Sequence, residues 1–262
     1  MKAKPCVLTI AGSDSGAGAG IQSDIKTFLN HGVYGVSVIT AITAQNKRGI
    51  QSSFELPAKI IKQQINSVLN DFKIKVIKTG MLSSDKVVNA VADSLKSFKG
   101  KLIIDPVLSS KNKFRMLNKK GIVLLKKSLM PRAFLITPNI PEAEILSGMK
   151  IKSLDDIEKS AMKLNLYGCK NILIKGGHLP ASIKLQRGTD FLFDGKRFYL
   201  FQSRWIETKN THGIGCTYSA SISSNLSKGL SLNKSIISAK KYLEEKLSMT
   251  VKLGRGINPV EQ

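Results

Sequence analysis

The feature that most constrains this chain is an alternation. Apolar runs of strand length end in glycine-, proline- or amide-bearing loops, and most of those loops lead into segments with helical spacing. "CVLTI" runs into "AGSDSGAGAG", after which "IQSDIKTFLNHG" carries helical periodicity and stops at Gly32. "GVSVITAIT" is β-branched and unbroken, as expected of a strand covered on both faces. Pro57 opens "PAKIIKQQINSVLNDF", an amphipathic pattern with proline at its first turn. "KVIKTGM", "KLIIDP", "AFLITPN" and "NILIKGG" read as further strands. Helices are predicted between them, from Ser84 to Phe98, from Asn118 to Leu129, and from a capping-box-like Ser153 and Asp156 to Gly168. "TDFLFDGKRFYLF" breaks the pattern, because two strand-like runs flank Asp194-Gly195, a strong hairpin signal. Two helices close the chain, one beginning within "GIGCTYSASISSNL" and one running from Ser231 to about Val251.

Such an alternation calls for an α/β fold with a mostly parallel central sheet and helices on both faces, joined by right-handed crossovers. At 262 residues and 42% hydrophobic composition the chain can bury one substantial core. No internal repeat or linker composition divides it, so residues 1–262 are expected to form a single domain. Ligands of such sheets bind at the carboxyl ends of the strands. That rule selects "AGSDSGAGAG", "TAQN", "TGML", "DPVLSS", "TPNIPE" and "KGGH" as candidate loops.

Composition removes several classes. No apolar run approaches the roughly 20 residues needed to cross a bilayer, and the first residues turn polar too soon for a secretory signal. A cytoplasmic protein with no membrane partner is expected. Cys6, Cys169 and Cys216 form neither a C-x-x-C pair nor a cluster with histidine, which argues against a disulfide or zinc framework. The formal net charge of +23 raises nucleic-acid binding, yet the lysines are scattered over helical faces and no aromatic residues interleave with them to stack bases. No nucleic-acid partner is expected.

Within the loops, "GAGAG" fails the G-x-G-x-x-G spacing of a dinucleotide site, and no Walker sequence occurs. A loop that lets backbone amides approach a small ligand is expected there, against the plainer reading of a tight turn. Asp105 ends "IIDP", and Asn139 and Glu142 lie in a strand-to-helix connection. Two carboxylates at strand ends suit a hydrated magnesium ion, which takes few protein oxygens; otherwise Asp105 caps a turn and Glu142 favours a helix start. Lys175, at a strand end before two glycines, can meet a polyphosphate or simply be a surface cation.

"NTHGIGCTYSAS" is the most informative stretch. Glycines before a helix allow consecutive N–H groups to point outward, and the helix dipole adds positive potential, an arrangement that stabilises a transferring phosphoryl group. A cysteine at that terminus is expected to have a lowered thiol pKa. His212 precedes Cys216 by four positions, so a Cys-His nucleophile is a competing reading, although the glycines argue against a shared helical face, and a purely structural helix cap is the plainer alternative.

Taken together, "TIAGSDSGAGAGIQSDIKTF", "GVYGVSVITAITAQN", "IKTGML", "DPV", "TPNIPEAEIL", "ILIKGGH" and "THGIGCT" resemble, across essentially the whole chain, the hydroxymethylpyrimidine/phosphomethylpyrimidine kinases of thiamine biosynthesis. That family lies in the ribokinase-like superfamily. The resemblance implies a three-layer ribokinase-like fold, an ATP- and magnesium-dependent activity and a homodimer. It implies two successive phosphorylations, of 4-amino-5-hydroxymethyl-2-methylpyrimidine and then of its monophosphate. By the same resemblance Gln45 hydrogen-bonds the aminopyrimidine, with Gly12, Asp24 and Met81 lining its pocket. Asn139, Lys175, Thr211, Gly213 and Gly215 serve the nucleotide, Asp105 and Glu142 organise magnesium, and Cys216 stands where many sugar kinases carry an aspartate base. Catalysis is then expected from Cys216, Lys175 and the amides of Gly213 to Cys216.

Two positions depart from the family pattern. Ile214 replaces the threonine of "GTGC", which spares an amide-built anion hole but removes a hydroxyl, and "LSSKNKFRML" replaces a segment like "MVAKSGDRLL" after "DPV". A pyridoxal or pyridoxine kinase of the same superfamily is the nearest rival reading, and a non-catalytic basic protein that binds nucleic acid or nucleotides is the rival from another class.

Overall fold

The computed structural model describes residues 4–109, 115–208, 210–249 and 256–261. Its strands are β1 (Cys6–Asp14), β2 (Tyr34–Asn46), β3 (Gly49–Glu55), β4 (Val76–Thr79), β5 (Lys101–Ile104), β6 (Leu135–Ile136), β7 (Ile172–Ile174), β8 (Asp190–Phe193) and β9 (Phe198–Phe201). They form one sheet in the order β3-β2-β1-β4-β5-β6-β7-β8-β9. Neighbours from β2 to β7 run parallel, while β3, β8 and β9 pair antiparallel at the two edges.

The unbroken apolar strands follow from coverage on both faces, since successive side chains alternate between two apolar layers. Leu8, Ile77, Leu102, Ile104, Ile136 and Ile172 pack in one layer; Val7, Val76, Ile103, Leu135 and Leu173 pack in the other. The first layer is closed by α2 (Ala58–Asp71), α3 (Asp85–Ser94), α5 (Ile140–Ser147) and α6 (Leu154–Asn165). The second is closed by α1 (Gly20–Asn30), α7 (Ile214–Ser227) and α8 (Leu232–Ser248). The expected three-layer α/β architecture is therefore present.

Local chemistry sets the boundaries. Ser153 and Asp156 form the capping box that opens α6, and Gly195 takes φ 88° in the hairpin between β8 and β9. Helix α7 looks polar in sequence, yet every residue from Thr217 to Leu226 is buried. Its serines make this possible by bonding back to their own helix: Ser223 Oγ donates to Ser219 O at 2.7 Å and Ser224 Oγ to Ala220 O at 2.9 Å.

Two expectations need correction. The strand β3 was not foreseen, because "GIQSSFE" is mostly exposed and owes its strand form to pairing with β2 rather than to an apolar face of its own. The helix predicted from Asn118 to Leu129 is α4 (Lys119–Leu124) followed by a π turn over Leu125–Leu129 and a 3₁₀ turn containing Pro131. The predicted end of the last helix near Val251 lies outside the described residues, as do residues 110–114 of the segment that departs from the family pattern. Among the described residues, no helix is long and apolar enough to cross a membrane.

Candidate active site

The chain leaves β1 for β2 on one side and later returns to β4 on the other, so the carboxyl end of β1 is a topological switch point. A cavity of about 460 Å³ opens there and continues along the ends of β5 and β7. Gly12, Gln45, Met81, Asp105, Asn139, Glu142, Lys175, Thr211, Gly213, Gly215 and Cys216 all line it, so residues spread over most of the sequence converge on one space.

Backbone contact fixes its centre. Gly213, the N-cap of α7, has φ 82°, and a Cβ there would lie 1.9 Å from the carbonyl oxygen of Gly18. Only glycine meets both demands. No side chain caps α7 and no acidic residue occupies its first turn, so its leading N–H groups open toward the cavity with the positive end of the helix dipole. The glycine loop after β1 behaves differently from expectation. Its amides turn inward, with Gly16 N, Gly18 N and Ala19 N donating to the Asp14 carboxylate at 2.8, 3.2 and 2.9 Å. Burial pushes that carboxyl up, but hydrogen bonds from His212, Gly16 and Ala19 outweigh it and hold it below the usual carboxylate range.

Gln45, at the end of β2, has its Nε2 3.2 Å from His212 Nε2 and its Oε1 3.1 Å from Thr43 Oγ1. Opposite, a side chain on Gly12 would press against Met81 Sδ at 3.2 Å, so the thioether forms one wall. The sequence reading of His212 as a cysteine partner is not realised: its side chain bonds to Asp14 at 2.8 Å.

Beneath the start of α7 lies a charge cluster. Lys175 Nζ donates to Asp105 Oδ1 at 2.9 Å, Thr137 Oγ1 lies 3.2 Å from the same oxygen, and Ser219 Oγ lies 3.1 Å from Oδ2. Asn139 and Glu142 form a capping box on α5, the plainer of the two readings offered for Glu142. Burial lowers the Lys175 pKa, but Asp105 and Glu142 outweigh it and raise the ammonium above its ordinary value. Burial pushes Glu142 up to about 7, against Lys175 and aided by Asp105.

Among the described residues, no group of three His, Cys, Asp or Glu side chains could hold a metal ion. An all-protein cage is therefore not built here. Asp105 and Glu142 still fit magnesium bound mainly by water and phosphate: both line the cavity, and each carboxylate keeps acceptor positions beyond its present donors.

Two expectations about individual residues change. Asp24 does not line the cavity: it is fully buried in α1, with its carboxylate 2.8 Å from Lys78 Nζ and bonded to Thr9 Oγ1. Lys78 lines the cavity instead, and its carboxylate partner holds it charged despite burial. A lysine inside the four-residue buried strand "VIKT" was the signal that sequence reasoning passed over. Cys216 likewise lacks the lowered pKa expected at a helix start. Burial pushes its thiol up to about 11, and the nearby Lys78 charge does not overcome that.

Compared with solved structures, this arrangement is that of a ribokinase-like small-molecule kinase. Phosphomethylpyrimidine kinase from Clostridium difficile 630 is 40% identical, covers 92% of this chain and 99% of its own, and superposes with a TM-score of 0.81. An ADP complex of Bacillus subtilis pyridoxal kinase is 33% identical over 99% of this chain and 97% of its own, with a TM-score of 0.89. The hydroxymethylpyrimidine/phosphomethylpyrimidine kinase of Haemophilus influenzae is 44% identical over 97% of this chain and 94% of its own length. The thiamine biosynthesis bifunctional protein ThiED of Geobacter sulfurreducens is 42% identical, and this chain spans 51% of its length. The phosphomethylpyrimidine kinase family model matches residues 14–261, and the chain belongs to that family of phosphotransferases.

Glu142 provides a test of the site's electrostatics. Its folded pKa of about 7 exceeds the ordinary 4.5, so the stability linked to its proton is fully present below 4.5 and is lost as pH rises from there through 7. Glu142→Gln keeps an acceptor for the capping box and removes the buried charge. Thermal melts should show the variant more stable than wild type by a few degrees at pH 8 and close to it at pH 4, below the ordinary carboxyl pKa. Equal melting at both values would contradict the shift.

Proposed function

We propose that this chain transfers the γ-phosphoryl group of ATP to the hydroxymethyl group of 4-amino-5-hydroxymethyl-2-methylpyrimidine and then phosphorylates the monophosphate to the diphosphate. The observation that carries the reading is one continuous cavity with Gln45 on one side and the uncapped start of α7 on another. Gln45 offers an amide donor and acceptor, which match a ring nitrogen and an exocyclic amine. Met81 supplies a polarisable surface for a flat ring. Gly12 leaves room for both.

Phosphoryl transfer needs in-line placement and stabilisation of spreading negative charge more than covalent chemistry. The first N–H groups of α7 and the Lys175 ammonium are the fixed positive features for that purpose. Asn139 and Thr211 line the same cavity and are assigned to the nucleotide. Asp105 and Glu142 would hold magnesium, which neutralises phosphate charge when bound.

Cys216 is the residue whose role changes most. With a thiol pKa of about 11 it is protonated at neutral pH, so it enters the reaction as a neutral contact beside the transferred group rather than as a ready base. A loose transition state tolerates this, because little deprotonation of the attacking hydroxyl is required early.

The direct test incubates purified protein with MgATP and either the pyrimidine or pyridoxal, following products by ³¹P NMR. Pyrimidine monophosphate followed by diphosphate is expected. Phosphorylation of pyridoxal alone would replace this reading with the vitamin B6 kinase, and no transfer to either would leave a nucleotide-binding protein. The same assay from pH 7 to 9 reads the cysteine. A thiolate requirement would raise turnover about tenfold per pH unit below the thiol pKa; the neutral-thiol account predicts no such slope.

A further inference from the structure

We infer that His212 is a positioning residue that holds Gln45 and the start of α7 in register. The inference rests on the pyrimidine reading of Gln45. His212 immediately precedes Gly213, the N-cap of α7. Its Nε2 donates to Asp14 Oδ2 at 2.8 Å, and the Gln45 side-chain amide packs against the same edge of the ring with its Nε2 3.2 Å away, so the ring sits between the carboxylate that shapes the glycine loop and the amide assigned to the substrate.

The backbone of His212 is held as firmly as its side chain. His212 N donates to Asn258 O at 3.3 Å, and Val260 N donates to His212 O at 3.0 Å. The segment that does this also ties down the turn after Gln45, where Ile257 N donates to Lys47 O at 3.2 Å and Lys47 Nζ bonds to Asn258 Oδ1. The glycine loop is shaped around the ring as well: a Cβ on Gly18 would lie 2.4 Å from His212 Cδ2. The imidazole is thus pinned by the main chain while it touches the substrate side, and the next residue begins the anion-binding helix.

Two consequences follow from removing it. Gln45 keeps Thr43 as a side-chain contact and Ser15 on its backbone N–H, but loses the contact that orients its amide toward the α7 side. Asp14 keeps its amide donors and loses its tie to α7. A residue placed this way moves substrate KM and kcat together, while the backbone bonds to Asn258 and Val260 keep the α7 amides in place for the nucleotide. Filling space alone would move stability without coupling to Gln45.

A double-mutant cycle on the full chain separates these. His212→Ala is expected to raise the pyrimidine KM about tenfold and lower kcat about tenfold, while calorimetric affinity for a non-hydrolysable ATP analogue stays within twofold. In a Gln45→Ala background the KM effect of His212→Ala should shrink to within twofold. His212→Gln, which retains a hydrogen-bonding side chain, should recover part of kcat. Independent, multiplicative effects of His212→Ala and Gln45→Ala would overturn the inference.

A second measurement needs neither turnover nor a His212 variant. In ligand-free protein, ¹⁵N NMR of the His212 ring should shift on Gln45→Ala, and an unchanged ring spectrum would overturn the coupling whatever the substrate. Wild-type protein that fails to phosphorylate the pyrimidine would instead count against the substrate reading, and the ring spectrum would still decide the contact.

Discussion

The site depends on a contact in which no side chain takes part. Gly213 packs its backbone against the carbonyl of Gly18, bringing the start of α7 against the loop that leaves β1. Because α7 is buried along most of its length, its first turn cannot shift without disturbing α1, α8 and the sheet beneath. The helix start is consequently a rigid electropositive point at the switch of a parallel sheet. The Asp14–His212 contact locks the two glycine segments together from the cavity side.

Around that point the protein uses buried charge in a definite pattern. Lys78 is matched to Asp24 within the core, and Lys175 is matched to Asp105 at the cavity wall. Each lysine stays ionised because its carboxylate offsets desolvation. Glu142 is buried without an exclusive partner, and that burial, which Lys175 only partly offsets, pushes its carboxyl up to about 7. The large formal charge of +23 is not what builds this site; a few paired ions placed by the fold are.

Much of this architecture was legible in the sequence because parallel sheets impose a strong pattern. Doubly covered strands read as unbroken apolar runs, and ligand loops must follow their carboxyl ends. The edge strand β3 was hidden because its conformation comes from a neighbour, and the π turn before Pro131 because a helical period does not reveal which carbonyl each amide finds. Within the site, loops could be named but pairings could not. Asp24 and Lys78 are 54 positions apart, and nothing local tells which face of α1 meets β4. The thiol of Cys216 was misjudged for a related reason: a helix start lowers a pKa and burial raises it, and burial is a property of the whole packing.

The most direct measurement is a crystal structure with the pyrimidine, MgADP and a metal fluoride that mimics the transferring phosphoryl group. The account predicts the fluoride within hydrogen-bonding distance of the first amides of α7, with Lys175 turned toward it and the pyrimidine amine on Gln45. A fluoride seated away from the start of α7 would contradict the account, however well the enzyme turned over.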